Sequence, residues 1–209
     1  MVPISPTHLE DLVHEVIEQD LPPIVVAGHP ALRQPALEYS GQLNAACLQK
    51  LVDTMRNVMR AAPGVGLAAP QLGIPLRIAV LEDGVELPAA VAAERERTPL
   101  AFFAVLNPSY TAVGSATANF YEGCLSVPGY QAAVERAHTI SFAYTSPAGL
   151  AVDRHLSGWS ARIAQHETDH LNGTLYLDRA QPRSLAHNRE YAARWAQPGI
   201  AEARKALDF

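Results

Sequence analysis

Strand-like sequence lies in the middle of this 209-residue chain and helical sequence lies at both ends, and this order constrains the fold more than any other feature. Apolar residues that repeat every three or four positions predict helices, whereas short runs of β-branched and aromatic residues predict strands. In chain order we predict helices at 6–19 and 42–61, strands at 77–81, 102–107 and 139–144, and helices at 160–172 and 184–195. With no internal repeat, the sequence predicts an α+β fold in one domain, residues 1–209.

Two segments stand apart from this pattern. Residues 82–99 mix Ala, Glu, Arg and Pro without a period, which favours a surface insertion between strands. Residues 180–209 are expected to form a helical C-terminal tail. A helix-breaking pair, Pro63-Gly64, marks the end of the helix predicted at 42–61.

Composition excludes several classes of protein. A hydrophobic fraction of 48% with 18% charged residues is typical of an ordinary globular protein with a sizeable core. The net charge of −5 argues against binding to nucleic acid or to an anionic membrane. No apolar run approaches the ~20 residues that span a bilayer. The first 34 residues contain one basic residue, Arg33, and several acidic ones, so we expect neither export nor organelle import but a cytoplasmic location.

The motif His-Glu-x-x-His at residues 166–170 predicts half of a metal site. Residues four apart lie on one face of a helix, so His166 and His170 can hold one cation. Glu167 is placed to take a proton from a metal-bound water, the general-base role in metal-assisted hydrolysis. A solvated helical face with these residues by chance is the alternative. It is disfavoured by apolar neighbours, namely Ile163, Ala164 and Leu171.

Two histidines require a third ligand, and the residues downstream of His170 offer one candidate. A histidine six positions after His170 is excluded because Tyr176 occupies that position. Glu190, 20 residues after His170, would complete the ligand set of a zinc endopeptidase. Arg189 and Arg194 beside it favour a solvated surface helix instead.

A second candidate lies upstream, in the segment Tyr121–Gly129. This segment has too much Gly and Pro for regular structure, and Gly123 lets the backbone approach another group closely. The thiolate of Cys124 is a strong ligand for iron, zinc and similar divalent metals. Together with two histidines it would leave one coordination position open, as in a catalytic site.

A glycine-rich stretch, Gly64–Gly73, adds a third feature. It is not a phosphate loop, because no Lys-Ser or Lys-Thr follows it and the glycine spacing is wrong. It is either an ordinary loop or a backbone edge held close to a substrate. In the second case the neutral amide of Gln71 would suit a developing oxyanion.

These motifs, in this order, resemble the peptide deformylase family. The resemblance rests on Gly-x-Gly-Leu-Ala-Ala-x-Gln at 64–71, Glu-Gly-Cys-Leu-Ser at 122–126 and Gln-His-Glu-x-Asp-His at 165–170. It extends from about the helix before Gly64 to around Asp178. It implies antiparallel β-sheets around a central helix that carries the His-Glu-x-x-His motif, with flanking N- and C-terminal helices.

The resemblance also implies an activity: removal of the formyl group from N-terminal formylmethionine of newly synthesised proteins, with release of formate. The implied cofactor is one divalent metal per chain, Fe2+ in the native state, with Zn2+, Ni2+ or Co2+ as substitutes. The implied ligands are Cys124, His166 and His170. Glu167 becomes the general base, and Gln71 with the backbone N–H of Leu125 would bind the oxyanion. The expected partners are N-formylmethionyl nascent polypeptides and, through the C-terminal segment, the ribosome.

The remaining site predictions concern the substrate pocket and the residues that orient the ligands. The expected substrate-binding residues are Gly64, Val65, Gly66, Phe120, Gly123, Trp159 and Ile163. We expect Glu122, Arg136 and Asp169 to orient the metal ligands. Tyr130-Gln131 replaces a basic position of many family members, and Trp159 and Arg162 replace aliphatic ones, so the shape of the pocket is left open.

Overall fold

The strands form two sheets in a computed structural model that describes residues 6–209. Their bounds are β1 Gly66–Ala68, β2 Ile78–Asp83, β3 Leu100–Ala112, β4 Thr117–Cys124, β5 Val127–Ala137, β6 Thr139–Thr145, β7 Ala151–Ser157 and β8 Ala186–His187. One sheet has the order β1-β2-β3-β6-β7 and the other the order β4-β5-β8. Neighbouring strands are antiparallel throughout. The predicted α+β fold with antiparallel sheets is confirmed; residues 1–5 of the predicted domain lie outside the described residues.

Helices cover the ends of the chain and one position in the middle. They are α1 Pro6–Ile17, α2 Ala45–Ala61, α3 Ala89–Glu94, α4 Gly158–Leu171, the single turn α5 Asn188–Glu190 and α6 Ala201–Leu207. The Asn44 side chain caps α2 by accepting from the backbone N–H of Cys47, and α2 ends just before Pro63-Gly64, as predicted. No helix within residues 6–209 is long and apolar enough to cross a membrane.

Helix α4 lies in the core and contacts strands of both sheets. Twelve of its fourteen residues are buried, although many of them are polar. Burying a polar group is costly unless it is hydrogen-bonded, so these side chains must find partners inside the fold. Gln165 does so with the backbone of Ala137, accepting from its N–H at 3.2 Å and donating to its carbonyl at 2.9 Å. The helix is thereby fixed against β5, and its motif is held in one orientation.

The prediction of irregular structure over 121–129 is wrong. Strand β4 runs to Cys124, β5 begins at Val127, and the two pair as a hairpin with a shift of register between Gly123 and Cys124. Pro128 is exposed at the second position of β5, a place where the missing N–H of proline is tolerated. Gly129 has a φ of +85°, which favours glycine. Gly and Pro therefore shape the start of a strand here.

The prediction of a helix at 184–195 is also wrong for the first half of that range. Residues Pro182–Ser184 form a 3-10 turn, and β8 follows by pairing with Tyr130 and Gln131 of β5. The Ser184 hydroxyl accepts from the backbone N–H of Ala133 at 2.7 Å, so contacts with the sheet override local helical periodicity. Only α5 and a π-helical turn, Tyr191–Trp195, occupy the second half.

The segment expected as an insertion begins inside regular structure. Residues 82–83 end strand β2, and helix α3 occupies 89–94. Asp83 is buried and pairs with Arg97 through two hydrogen bonds of 2.7 and 2.9 Å. The segment is thus fastened to the larger sheet at its base.

Candidate active site

The end of strand β4 and one face of helix α4 bring Cys124, His166 and His170 together. Their ligand atoms all lie within 4.8 Å of one another, and Cys124 Sγ lies 3.2 Å from His170 Nε2. The two histidines lie side by side because one turn of helix separates them, with ring centroids 5.0 Å apart. No other group of three or more such residues within residues 6–209 has this geometry.

Glu122 orients one of these histidines. Its carboxylate accepts from Nδ1 of His166 at 3.0 Å, which leaves Nε2 of that ring for another partner. The same carboxylate accepts two hydrogen bonds from Arg136, at 2.8 and 2.9 Å, and one from Arg162 at 2.6 Å. Burial disfavours the charge on Glu122, but these donors outweigh it and hold its pKa well below the ordinary value. Glu122 is therefore a buried, fully ionised anchor for His166.

Asp169 forms the second anchor of the same network. Its carboxylate accepts from Arg136 at 2.6 Å, from Arg179 at 2.7 and 3.0 Å and from the Tyr110 hydroxyl at 3.0 Å. Arg136 thus bridges Glu122 and Asp169 from inside the protein. A buried ion pair of this kind resists distortion, since removal of one partner leaves the other charge buried alone.

The pKa values of the two histidines are shifted in opposite directions. Burial lowers the pKa of His170 well below its ordinary value, helped by the positive charges of His166 and Arg136. Burial acts in the same direction on His166, but hydrogen bonding to Cys124 and Glu122 outweighs it and raises its pKa. A metal would compete with the proton on His166, because only the neutral imidazole binds metal.

Glu167 lies next to the cluster and is 5% exposed. Burial raises the pKa of its carboxyl group to about 7. Its Oε2 atom is buried and has no hydrogen-bond partner among the described residues. Gly66 of β1 packs directly against this carboxylate: a Cβ built there would lie 2.2 Å from Glu167 Oε1. The absence of a side chain at Gly66 makes room for Glu167.

Gln71 also lies beside the cluster. Its Nε2 donates to the Ser126 hydroxyl at 3.2 Å and lies 3.8 Å from Cys124 Sγ. Its Oε1 accepts from the backbone N–H of Ala68 at 2.9 Å, which orients the amide with its donor toward the cluster. Gln71 is 2% exposed and lies in a short 3-10 turn, Ala69–Leu72, which follows β1. Ser126, which the sequence reasoning missed as a partner of Gln71, lies inside the 122–126 motif.

A cleft of about 610 Å³ opens onto these groups. Its lining includes the following residues singled out from the sequence: Gly64, Val65, Gly66, Gln71, Gly123, Cys124, Leu125, Trp159, Ile163, His166 and Glu167. Phe120 is absent from the lining; its half-buried ring packs against the core cluster that includes Trp159, and the centroids of these two rings are 6.1 Å apart. Glu190 lies in the tail, where it pairs with Arg194 at 2.8 Å, and the structure does not bring it into the cluster.

The described residues fit a divalent metal. One thiol and two imidazoles are a donor set for iron, zinc or other late divalent ions. Glu167 Oε2 is buried beside these residues and has no hydrogen-bond partner among the described residues. A group held by the metal would supply that partner. Three protein ligands also leave a coordination position open, as in catalytic sites.

A family model described as polypeptide deformylase matches residues 21–186, which is more than half of the chain. The chain belongs to the peptide deformylase family.

Individual members of the family agree with this assignment. Peptide deformylase 3 of Streptomyces avermitilis is 52% identical over 202 residues, which cover 96% of this chain and 90% of that protein. The mitochondrial peptide deformylase of Homo sapiens is 36% identical over 189 residues, covering 86% and 76% of the two chains. A class I type b peptide deformylase from Acinetobacter baumannii, solved with Met-Ala-Ser bound, superimposes with a TM-score of 0.69 at 32% identity. It covers 76% of this chain and 98% of its own.

Two arginines in the cleft of this deformylase-family chain had no signal in the sequence. Arg95 and Arg97 line the cleft, although they belong to the segment expected at the surface. Arg162 also lines it and lies between Glu122 and the rings of Phe120 and Trp159. Part of the wall of this pocket is therefore cationic.

Proposed function

We propose that the cluster of Cys124, His166 and His170 is the centre at which this chain hydrolyses the formyl group of N-terminal formylmethionine. Family membership gives the reaction: a linear amide bond is hydrolysed, formate is released and the methionine amine is freed. The observation that carries the assignment to this cluster is the unpaired Oε2 of Glu167 beside three potential ligands, of which Cys124 and His166 line the same cleft as Glu167.

Cys124, His166 and His170 would hold one divalent metal. When bound, that metal supplies Lewis acidity and makes water a nucleophile at neutral pH. Cys124 contributes a negatively charged ligand, and Glu122 keeps His166 oriented with its Nε2 available. The site would thus be assembled by the β4–β5 hairpin on one side and helix α4 on the other.

Glu167 would move the proton. A carboxylate with a pKa of about 7 is half ionised near neutral pH, so it can accept a proton from the attacking water and later release it. As water adds to the formyl carbon and the carbon–nitrogen bond breaks, Glu167 passes that proton to the departing methionine nitrogen. Burial keeps the carboxylate away from bulk water, which would otherwise compete for the proton.

Gln71 and the backbone N–H of Leu125 would stabilise the charge that develops on the formyl oxygen. The amide of Gln71 is pre-oriented by its contacts with Ala68 and Ser126, so it needs no rearrangement during the reaction. Leu125 lines the same cleft and follows Cys124 directly. Val65, Trp159 and Ile163 would provide apolar surface for the methionine side chain.

Formate release from formyl-Met-Ala-Ser tests this proposal. The tripeptide part of this substrate is the one bound in the structure of the Acinetobacter baumannii relative. Glu167→Ala should keep the metal and lose formate release, because it removes the proton carrier and leaves all three ligands. Retention of full activity by Glu167→Ala would overturn the assigned role.

Iron is our proposal for the native metal, because one thiolate and two imidazoles suit Fe2+ as well as zinc. Elemental analysis of protein purified without oxygen, followed by formate assays after reconstitution with Fe2+, Zn2+, Ni2+ or Co2+, distinguishes these metals. We further propose that the substrates are formylated nascent chains, that the C-terminal tail contacts the ribosome and that the location is cytoplasmic. Cosedimentation of the full chain with ribosomes, with tail substitutions as comparison, tests the second of these proposals.

A further inference from the structure

Residues 24–27, which we call the strap, lie outside the helices and strands but make two backbone hydrogen bonds to the active site. The N–H of Val25 donates to the carbonyl oxygen of Gln71 at 2.9 Å, and the N–H of Ala27 donates to that of Ser126 at 2.7 Å. Gln71 and Ser126 are 55 positions apart in the chain. One stretch of four residues therefore joins two distant parts of the active site.

The two segments that the strap joins carry the two proposed oxyanion donors. Gln71 provides one donor through its side-chain amide, and Ser126 directly follows Leu125, whose backbone N–H provides the other. The donors belong to different sheets. Gln71 follows β1 of the larger sheet, whereas Leu125 and Ser126 form the turn between β4 and β5 of the smaller sheet. The separation of the donors therefore depends on how the two sheets are held together at this point.

The strap differs from the side-chain contact that also joins these segments. Gln71 Nε2 donates to the Ser126 hydroxyl at 3.2 Å, and this bond occupies one of the two hydrogens of the proposed oxyanion donor. The strap bonds use the backbone carbonyl oxygens of Gln71 and Ser126 instead. They therefore hold both residues in place without occupying the donor group.

The strap is itself held in place by packing. Val25 is half-buried and packs against the same hydrophobic cluster as Cys124, and Ile24 packs against the cluster that Leu125 also contacts. Two prolines precede the strap in the sequence, and proline restricts backbone rotation. The N–H groups of the strap are therefore donors with fixed positions.

We propose that the strap is a positioning element of the oxyanion site: its two hydrogen bonds fix the separation between the amide of Gln71 and the N–H of Leu125. Preorganised donors are effective because they need no rearrangement as charge develops, so a loosened donor loses part of its effect. A displacement of about 1 Å can cost on the order of 100-fold in rate. Loss of one of the two strap bonds should displace a donor by less, and we expect kcat to fall about ten-fold. This inference rests on the proposed function.

Replacement of single peptide bonds by esters tests the strap, because an ester has no N–H but the side chain is kept. The α-hydroxy analogues of valine and alanine, incorporated at Val25 and Ala27, each remove one strap bond. The same valine analogue at Val26 is the matched control, since the N–H of Val26 makes no hydrogen bond within residues 6–209. Formate release from formyl-Met-Ala-Ser by the metal-loaded full chain gives kcat and KM. The esters at 25 and 27 should each lower kcat about ten-fold with KM and metal per chain unchanged, and the ester at 26 should leave all three unchanged.

A double substitution separates positioning from a general loss of structure. Gln71→Ala removes the group that the bond from Val25 positions, so the ester at residue 25 should have little further effect on kcat in that background. A general loss of structure would lower kcat by the same factor in both backgrounds.

The inference is wrong if the esters at 25 and 27 leave kcat as in the wild type, if the ester at 26 lowers it equally, or if the effect of the ester at 25 persists in full in Gln71→Ala. A higher KM or a loss of metal with unchanged kcat would show a structural role only and also overturns it. If the ester at 25 prevents folding, the ester at 27 decides the comparison with Val26 in the same way. Failure of the wild type to release formate from this peptide would instead overturn the proposed function.

Discussion

Gly66 lies against the carboxylate of Glu167 so closely that a Cβ at position 66 would be 2.2 Å from Oε1 and 2.5 Å from the carboxyl carbon. Strand β1 and helix α4 are therefore in contact at the residue that we propose as the proton carrier. Position 66 of the Gly64–Gln71 motif is therefore glycine for a steric reason: a side chain there would collide with Glu167, which lies 101 positions later in the chain.

Gly66→Ala should therefore displace Glu167 and lower kcat. A shift of about 1 Å in a reacting group can cost on the order of 100-fold, and we expect a loss of that size. Metal content should remain unchanged, because the atoms that a Cβ at Gly66 would meet first belong to Glu167 and not to the three ligands. The measurement is kcat for formate release together with metal per chain. Gly84→Ala is the control, since a Cβ at Gly84 meets nothing within 4 Å. Equal activity of Gly66→Ala and the wild type would contradict this account.

Glu122→Gln should weaken metal binding. The substitution keeps an oxygen near Nδ1 of His166 but removes the charge that Arg136 and Arg162 share. Loss of a group that orients a metal ligand typically costs 10–100-fold in affinity, and we expect a value in that range. Competition with a chelator for Zn2+ measures it. Glu135→Gln, at an exposed position of the paired strand β5, should bind metal as the wild type does. An unchanged affinity in Glu122→Gln would show that His166 needs no such support.

The site was predictable from the sequence where it depends on local geometry. His166, Glu167 and His170 are close because one turn of helix separates them, and this spacing is visible in the sequence. Cys124 was found through its chemistry, although its hairpin was predicted as irregular. In that segment Gly and Pro were interpreted as breakers, whereas they shape the register shift and the exposed start of β5.

The cationic wall was not predictable, because it depends on contacts between distant parts of the chain. Arg95 reaches the cleft only through the placement of α3 and of the tail residues near Pro198. Phe120 was expected in the pocket on the basis of its residue type, but its half-buried ring packs against the core beside Trp159 and does not line the cleft. No strand was predicted over Phe120, so the direction of its side chain could not be inferred from strand alternation.

Two substitutions separate the possible sets of metal ligands. Cys124→Ala should remove the metal and the activity, because it deletes one of three ligands. Glu190→Ala should have little effect on either, since Glu190 is half-exposed and pairs with Arg194 in the tail. Metal per chain after dialysis and formate release are the two measurements. The opposite outcome, loss of metal in Glu190→Ala with retention in Cys124→Ala, would support the zinc endopeptidase ligand set.

Asp83→Asn should destabilise the protein more than any change in the neighbouring surface ion pair. Asp83 is 3% exposed, and its two hydrogen bonds with Arg97 join the end of β2 to the segment that carries the cationic wall. Removal of one partner of a buried ion pair leaves the other charge uncompensated, which typically costs about 3 kcal/mol or more. Denaturant unfolding of the metal-loaded protein measures the change in the free energy of unfolding.

Glu82→Gln provides the matched control for this prediction. Glu82 precedes Asp83 and pairs with Arg60, an exposed residue, at 2.6 Å. Water solvates this pair and salt screens it, so its loss should change the free energy of unfolding far less than the loss of the Asp83–Arg97 pair does. If the two substitutions destabilise the protein equally, burial of Asp83 is not what makes its ion pair important. In that case the segment that carries Arg95 would be held mainly by its contacts with the tail.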